Sequence, residues 1–181
     1  MAGTRDVMID GAIELLRERG AAGLTVDAVL ERTGAPRGSV YHHFPGGRAD
    51  LIGQALTVTG DTVESVLDHP DPVAALERFG RFWKGVLRRS GFDAACPVVS
   101  VIVSDSDGDA LDIAHEVIER WAGVIERSLA AAGVADAEIL ATTTLAAING
   151  AVILSRSRRS TAPLDAVIAE RREMIRGRLR A

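Results

Sequence analysis

Apolar residues recur every three or four positions along most of this 181-residue chain, the spacing that places them on one face of an α-helix. These stretches end at residues that stop helices: Gly20, the pair Thr33-Gly34, the run Phe44 to Gly47, and Pro70. The predicted helices are about residues 4–19, 26–33, 36–42, 49–67, 72–89, 97–103, 110–132, 137–158 and 163–180. The pattern therefore predicts an all-α protein of about nine helices.

The composition supports helix packing. Hydrophobic residues make up 47% of the chain and aromatic residues only 4%, so the apolar mass consists mainly of Ala, Val, Leu and Ile. The one cysteine, Cys96, cannot form an intrachain disulfide. No apolar run approaches the roughly 20 residues that span a bilayer, and the N-terminus lacks a signal-peptide pattern. We therefore expect a cytoplasmic protein without a membrane segment.

The charge is unevenly distributed. The net charge of −4 argues at first against a nucleic-acid partner, because phosphate binding depends on clustered Lys and Arg. From Arg32 to Arg48, however, the chain carries three arginines, two histidines and no carboxylate. The helix before this window is acidic. This segregation is the kind that a DNA-facing surface needs.

The same window has the pattern of a helix-turn-helix, two short helices joined by a tight turn. Thr25 is a suitable N-cap for the first of them, and Gly34 permits the turn. Pro36 suits the first position of the second helix. Val40 and Phe44 can anchor that helix, which leaves its polar residues to enter a major groove.

The sequence LTVDAV at residues 24–29, followed by TGAPRGSVYHHF at residues 33–44, resembles the N-terminal domain of the TetR repressor family. The resemblance covers about residues 5–56. It implies a DNA-binding domain at residues 1–46 and a ligand-binding and dimerisation domain at residues 47–181. The DNA-binding residues that it implies are Thr25, Arg37, Gly38, Ser39, Tyr41, His42, His43 and Arg48.

The resemblance further implies a homodimer that represses transcription from a palindromic operator in double-stranded DNA. Binding of a small apolar or cationic inducer would release it. One departure from the family pattern is Gly46-Gly47, just before Arg48, where a Ser-Lys-like cap is more common. The sequences SGF at residues 90–92 and ACPVV at residues 95–99 are similar to the LmrA/YxaF-like branch of this family.

Two groups of apolar residues each allow a second interpretation. The aromatic residues of the middle helices fit either the wall of an inducer cavity or an ordinary core, and Cys96 fits a small buried hydrophobe. The small and apolar residues of the last two helices fit a dimer interface or an intramolecular core. The candidate cavity residues are Phe79, Phe82, Trp83, Cys96, Val99 and Trp121. The candidate interface residues are Leu145, Ile148, Val152, Ile168 and Ile175.

Enzyme chemistry is not expected, because the sequence contains no phosphate-binding loop, nucleophile elbow or zinc-spaced cluster. A cofactor or a metal is not expected either. The acidic run that begins at Asp105 has the length of a calcium loop, but Ala110 and Asp112 occupy positions that need glycine and an apolar residue. The alternative to a regulator is a helical small-molecule-binding module without specific DNA binding.

Overall fold

The computed structural model describes residues 3–104 and 108–180, which form nine α-helices and no strand. The helices are α1 (Thr4–Gly23), α2 (Val26–Thr33), α3 (Arg37–His43), α4 (Arg48–Leu67), α5 (Pro72–Arg89), α6 (Pro97–Ile102), α7 (Asp109–Ala131), α8 (Ala137–Arg158) and α9 (Ala162–Leu179). The predicted all-α class is confirmed. Most of the loop expected at residues 105–109 lies outside the described residues.

Helix ends follow the local sequence signals closely. Gly20 has φ +68°, which interrupts α1 where the sequence predicts its end. Gly34 closes α2 in the left-handed conformation. The hydroxyl of Thr25 accepts a hydrogen bond from the backbone N–H of Ala28 at 3.1 Å and so caps α2. Pro36 is the N-cap of α3 rather than its first residue, so this helix begins at Arg37, one residue later than the sequence predicts.

Packing divides the chain into two compact units, and the division falls within α4 and within α7. The first unit contains residues up to Gly60 together with Ala95–Val117. In it α1 packs against α2 and α6. The backbone N–H of Ala95 donates to the carbonyl of Arg17 at 2.8 Å, which fixes the start of the α6 segment on α1.

The second unit contains Asp61–Ala94 and Ile118–Ala181, with α9 packed against both α5 and α8. Gly80 permits the close approach of α5 and α9, because a Cβ there would lie only 3.0 Å from Ile168. Lys84 of α5 donates to Asp165 of α9 at 2.9 Å. The second unit is therefore a helix bundle with apolar contacts inside and ion pairs at its margin.

The helix α8 is long and apolar enough, by length and composition alone, to cross a membrane. Within α8, 44% of the 18-residue stretch with the highest mean hydropathy is buried inside the protein. The core helix of a soluble protein can have the same length and composition. Nothing beyond length and composition supports a membrane role for α8.

Arg32 is the main electrostatic link between α2 and α1. Its guanidinium donates to Glu14 at 3.1 Å and to Glu18 at 3.0 Å, and its side chain is 24% exposed. The hydrogen bond from Arg32 lowers the pKa of Glu18 from its ordinary value of 4.5, against the opposing effect of burial. The pair therefore favours the folded state when Glu18 is ionised.

The substitution Glu18→Gln tests this link through its pH dependence. Because the folded-state pKa of Glu18 is lowered, its contribution is fully present above pH 4.5 and is lost as the pH falls through the folded-state value. We expect Glu18→Gln to lower the free energy of unfolding by up to about 1 kcal/mol at pH 7, the range of exposed pairs. Urea unfolding at pH 7 and below the folded pKa measures the effect, which should disappear in acid. Glu31→Gln on α2 is the control, and an equal loss at both pH values would contradict the assignment.

Candidate nucleic-acid interface

The short helix α3 is held in place by two buried side chains, as the sequence predicts. Val40 is fully buried and Phe44, directly after the helix, is 1% exposed. The guanidinium of Arg5, on α1, lies 6.0 Å from the centre of the Phe44 ring, a cation–π distance. These anchors fix the orientation of α3, so its opposite face points outward.

The outward face of α3 carries the predicted polar residues. Tyr41 is 62% exposed and the Arg37 side chain is 76% exposed. Gly38 and His42 are also exposed, whereas Ser39 and His43 are half-buried. The rings of His42 and His43 lie edge to face, with centroids 4.8 Å apart. The face therefore presents an aromatic hydroxyl, a guanidinium and imidazole groups, all of which can bond to phosphate oxygens or base edges.

Thr25 lies at the start of α2 and combines two capacities. Its oxygen accepts the capping bond from Ala28, and a hydroxyl in that role still has its own hydrogen to donate. That hydrogen can go to a phosphate oxygen. The predicted phosphate contact at Thr25 is therefore compatible with its structural role as a cap.

Arg48, the first residue of α4, has an intramolecular role. Its Nε donates to the carbonyl of Leu24 and its Nη2 to the carbonyl of Ala21, both at 2.7 Å. Arg48 thereby ties the start of α4 to the segment that leads into α2. Its predicted contact with a phosphate stays a prediction, whereas its positioning of α4 rests on these two bonds.

The basic window does not supply three unpaired arginines, which corrects the impression given by the linear sequence. Arg32 pairs with carboxylates of α1, and Arg48 with backbone carbonyls. Arg37 donates to Asp27 of α2 at 2.8 Å. The sequence window begins after Asp27 and so misses this carboxylate, which the turn between α2 and α3 brings back to Arg37.

The second unit contains a small apolar cavity lined by residues of α4, α5, α7, α8 and α9. Its volume is only about 20 Å³, room for about one water molecule. Of the predicted cavity residues, only Phe79 lines it. The described residues that line it are Leu67, Pro72, Ala75, Leu76, Phe79, Ile125, Ser128, Leu129, Thr144, Ile148 and Ile175.

The other predicted cavity residues have different surroundings. Trp83 and Trp121 are buried, and Phe82 is half-buried with its ring centre 5.6 Å from that of Trp83. Cys96 and Val99 belong to the first unit, at the start of α6 and within it. Burial raises the pKa of the Cys96 thiol, in agreement with its interpretation as a small buried hydrophobe rather than a reactive thiol.

The predicted interface residues lie inside the second unit instead of on its surface. Leu145, Ile148, Val152 and Ile175 are each at most 5% exposed, and Ile168 is half-buried against Gly80. A different face of α8 is exposed. It carries Ile139, Thr142, Thr143, Ala146, Gly150, Ile153, Leu154 and Ser157, which we call the outer stripe of α8. The spacing of apolar residues in the sequence could not distinguish the buried face of α8 from the outer stripe, because both faces carry apolar residues.

Comparison with known proteins places both parts of the chain in described families. Residues 8–55 match the family described as bacterial regulatory proteins, tetR family. Residues 72–170 match the family described as transcriptional regulator LmrA/YxaF-like, C-terminal domain. An uncharacterized HTH-type transcriptional regulator from Mycobacterium tuberculosis is 32% identical over 97% of this chain and 95% of its own length. The HTH-type transcriptional regulator LmrA from Bacillus subtilis is 24% identical, over 89% of this chain and 90% of its own length.

Solved structures show the same fold. A regulatory protein TetR from Rhodobacter sphaeroides superimposes with a TM-score of 0.84 at 22% identity, over 94% of this chain and 97% of its own. A TetR transcriptional regulator from Legionella pneumophila superimposes with a TM-score of 0.82 at 16% identity, over 98% and 97% of the two chains. The helix order found here is therefore an established arrangement.

Proposed function

Since this chain belongs to the tetR family of bacterial regulatory proteins, with an LmrA/YxaF-like C-terminal domain, we propose that it is a homodimeric repressor released from a palindromic operator by an uncharged inducer. DNA-binding transcriptional regulation is the activity of the family to which it belongs. In the proposal residues 1–46 bind DNA and residues 47–181 bind the inducer and form the dimer. A regulator of this kind acts in the cytoplasm, where the DNA is.

The observation that carries DNA recognition is the exposed polar face of α3 on buried apolar anchors. Val40 and Phe44 hold the helix, while Arg37 and Tyr41 extend into solvent. A rigid short helix with such a face fits a major groove about 12 Å wide. Arg37 is the best candidate for base recognition, because an arginine can donate two parallel bonds to one guanine.

The substitution Arg37→Ala tests DNA recognition. We expect it to weaken binding to a duplex selected from a random library by about 1–3 kcal/mol, roughly 5- to 150-fold. Titrations at two salt concentrations distinguish the kind of contact, because loss of a phosphate contact lowers the salt slope by about 1 and loss of a base contact leaves it unchanged.

Arg127→Ala, on the exposed part of α7, is the matched control and should leave affinity unchanged. Unchanged affinity in a folded Arg37→Ala protein would remove Arg37 from the interface. If the unsubstituted protein binds selected and unrelated duplexes equally, the alternative applies: a helical small-molecule-binding module without specific DNA binding.

The outer stripe of α8 is the proposed dimer surface. Its three large apolar residues are strongly exposed in a single chain: Ile139 is 66% exposed, Ile153 56% and Leu154 48%. The small residues Ala146 and Gly150 lie between them, so the backbone of a second helix can approach closely. An exposed apolar row of this kind is costly in a monomer, and a second copy related by a two-fold axis would cover it.

The substitution Ile153→Asp tests this surface. A single chain tolerates the carboxylate because the position is exposed, whereas a dimer interface would bury it unpaired. We expect sedimentation to give a mass near the 19.1 kDa of one chain, and binding to a two-half-site duplex to fall with it. Val103→Asp is the matched control, because Val103 is 76% exposed and lies outside α8. A persistent dimer in a folded Ile153→Asp protein would place the interface elsewhere.

The apolar cavity of the second unit is the proposed inducer site. None of the described residues that line it is charged, so an ionised ligand would be desolvated there without a partner. The buried hydroxyl of Thr144 has no hydrogen-bond partner among the described residues, whereas the hydroxyl of Ser128 is donated to the carbonyl of His69 at 2.9 Å. An uncharged, mainly apolar molecule with one polar group near Thr144 fits this lining.

A cavity of about 20 Å³ is far smaller than the roughly 300 Å³ of ordinary ligand sites, so ligand entry must displace lining side chains. Leu67, the last residue of α4, is one of them. The first residue of the same helix, Arg48, binds the carbonyls that precede α2. Displacement of α4 at Leu67 is therefore the proposed cause of operator release, provided that the ligand binds the displaced form more tightly.

The substitution Thr144→Val tests the inducer site. Matched neutral, anionic and cationic aromatic compounds are screened for release of the operator duplex, and we expect release by neutral compounds. Thr144→Val should raise the concentration of the neutral compound needed to release the operator duplex by about 5- to 10-fold, the effect of one hydrogen bond. Ser128→Ala should change it less, because that hydroxyl already has a partner. Release by charged compounds alone would refute this site.

A further inference from the structure

Asp27 and Arg37 form an ion pair on the surface that faces DNA in the proposed function. Nη2 of Arg37 donates to Oδ1 of Asp27 at 2.8 Å, and the two side chains are 76% and 72% exposed, Arg37 being the more exposed. Asp27 lies in the first turn of α2 and Arg37 is the first residue of α3. The pair therefore joins the starts of the two helices of the helix-turn-helix.

Neither stability nor general DNA affinity explains this pair. An ion pair so exposed contributes little to folding, in contrast to the half-buried Arg32 with its two carboxylates. A carboxylate on a surface that approaches phosphates weakens DNA binding, since affinity for any duplex rises with unpaired positive charge. Asp27 thus opposes affinity at the one arginine of α3.

The geometry is compatible with a role in selectivity. A guanidinium has five N–H donors, so one bond from Nη2 to Asp27 leaves enough donors for the O6 and N7 of a guanine. The carboxylate also restricts the rotamers of a long side chain before DNA arrives, which reduces the entropy lost on binding. At the same time it competes with phosphates for Arg37 on DNA of the wrong sequence.

We propose that Asp27 is a positioning residue that holds Arg37 for base recognition and withholds it from the phosphates of unrelated DNA. This inference rests on the proposed DNA-binding function and adds to it the source of sequence discrimination. The inference predicts opposite changes in two quantities, the affinity for unrelated duplex and the discrimination between duplexes. Neutralising Asp27 should strengthen binding to unrelated duplex while it weakens discrimination.

The test measures dissociation constants for the selected duplex and for an unrelated duplex, at two salt concentrations, in four proteins. These are the unsubstituted protein, Asp27→Asn, Arg37→Ala and the double variant. Asparagine keeps the shape of the side chain, and circular dichroism checks that each protein is folded. Glu31→Gln is the matched control, because it removes one negative charge from the same helix and Glu31 has no ion pair with a described residue.

For Asp27→Asn we expect tighter binding to unrelated duplex, a salt slope for it larger by about 1, and a specificity ratio lower by about fivefold. In the Arg37→Ala background the same substitution should leave the specificity ratio unchanged. Equal effects of Asp27→Asn and Glu31→Gln, or a lower ratio that persists without Arg37, would overturn the inference. Absence of discrimination in the unsubstituted protein would overturn the proposed function itself, and is a separate result.

Discussion

The proposed DNA-facing surface depends on the anchoring of one short helix. The seven residues of α3 are too few to form a stable helix in isolation. Helix nucleation is costly, and so short a helix forms too few further hydrogen bonds to offset that cost. Burial of Val40 and Phe44 supplies the stability that α3 lacks, and the glycine at position 34 sets the turn that directs it. Because the anchors occupy the inner face of α3, its outer face is left for polar residues.

Electrostatics divides the arginines near this helix into different roles. Arg32 links α2 to α1, and Arg48 links the start of α4 to backbone carbonyls before α2. Only Arg37 extends from α3, and it does so beside Asp27. The proposed base-reading cation, Arg37, is thus a single side chain paired with a nearby carboxylate, in a protein whose net charge is negative. In the proposal selectivity comes from the orientation of Arg37, since phosphate contacts by themselves carry no sequence information.

The second unit uses its apolar residues in two distinct ways. Inward-facing residues of α8, such as Ile148 and Thr144, line a cavity too small for a drug-sized ligand. The outer stripe of α8 exposes apolar residues that a second copy of the chain would cover. Ligand entry and dimer formation would therefore act on opposite faces of one helix, and α4 connects the cavity at Leu67 to the DNA-binding helices through the chain itself.

The sequence by itself determined the helices, the caps and the turn, because these depend on residues within a few positions of each other; Thr25, Gly34 and the ends of α5 and α8 were predicted correctly. The sequence also identified Arg37, Tyr41 and His42 as exposed polar residues of α3, because the apolar anchors of this helix differ plainly from them, whereas Ser39 and His43 are half-buried. Tertiary structure decided which arginines are paired, because Glu14 and Glu18 lie far from Arg32 along the chain. It also decided which face of α8 is interior. A helix with apolar residues on every side gives no periodic signal for its faces, and only packing against α5 and α9 separates them.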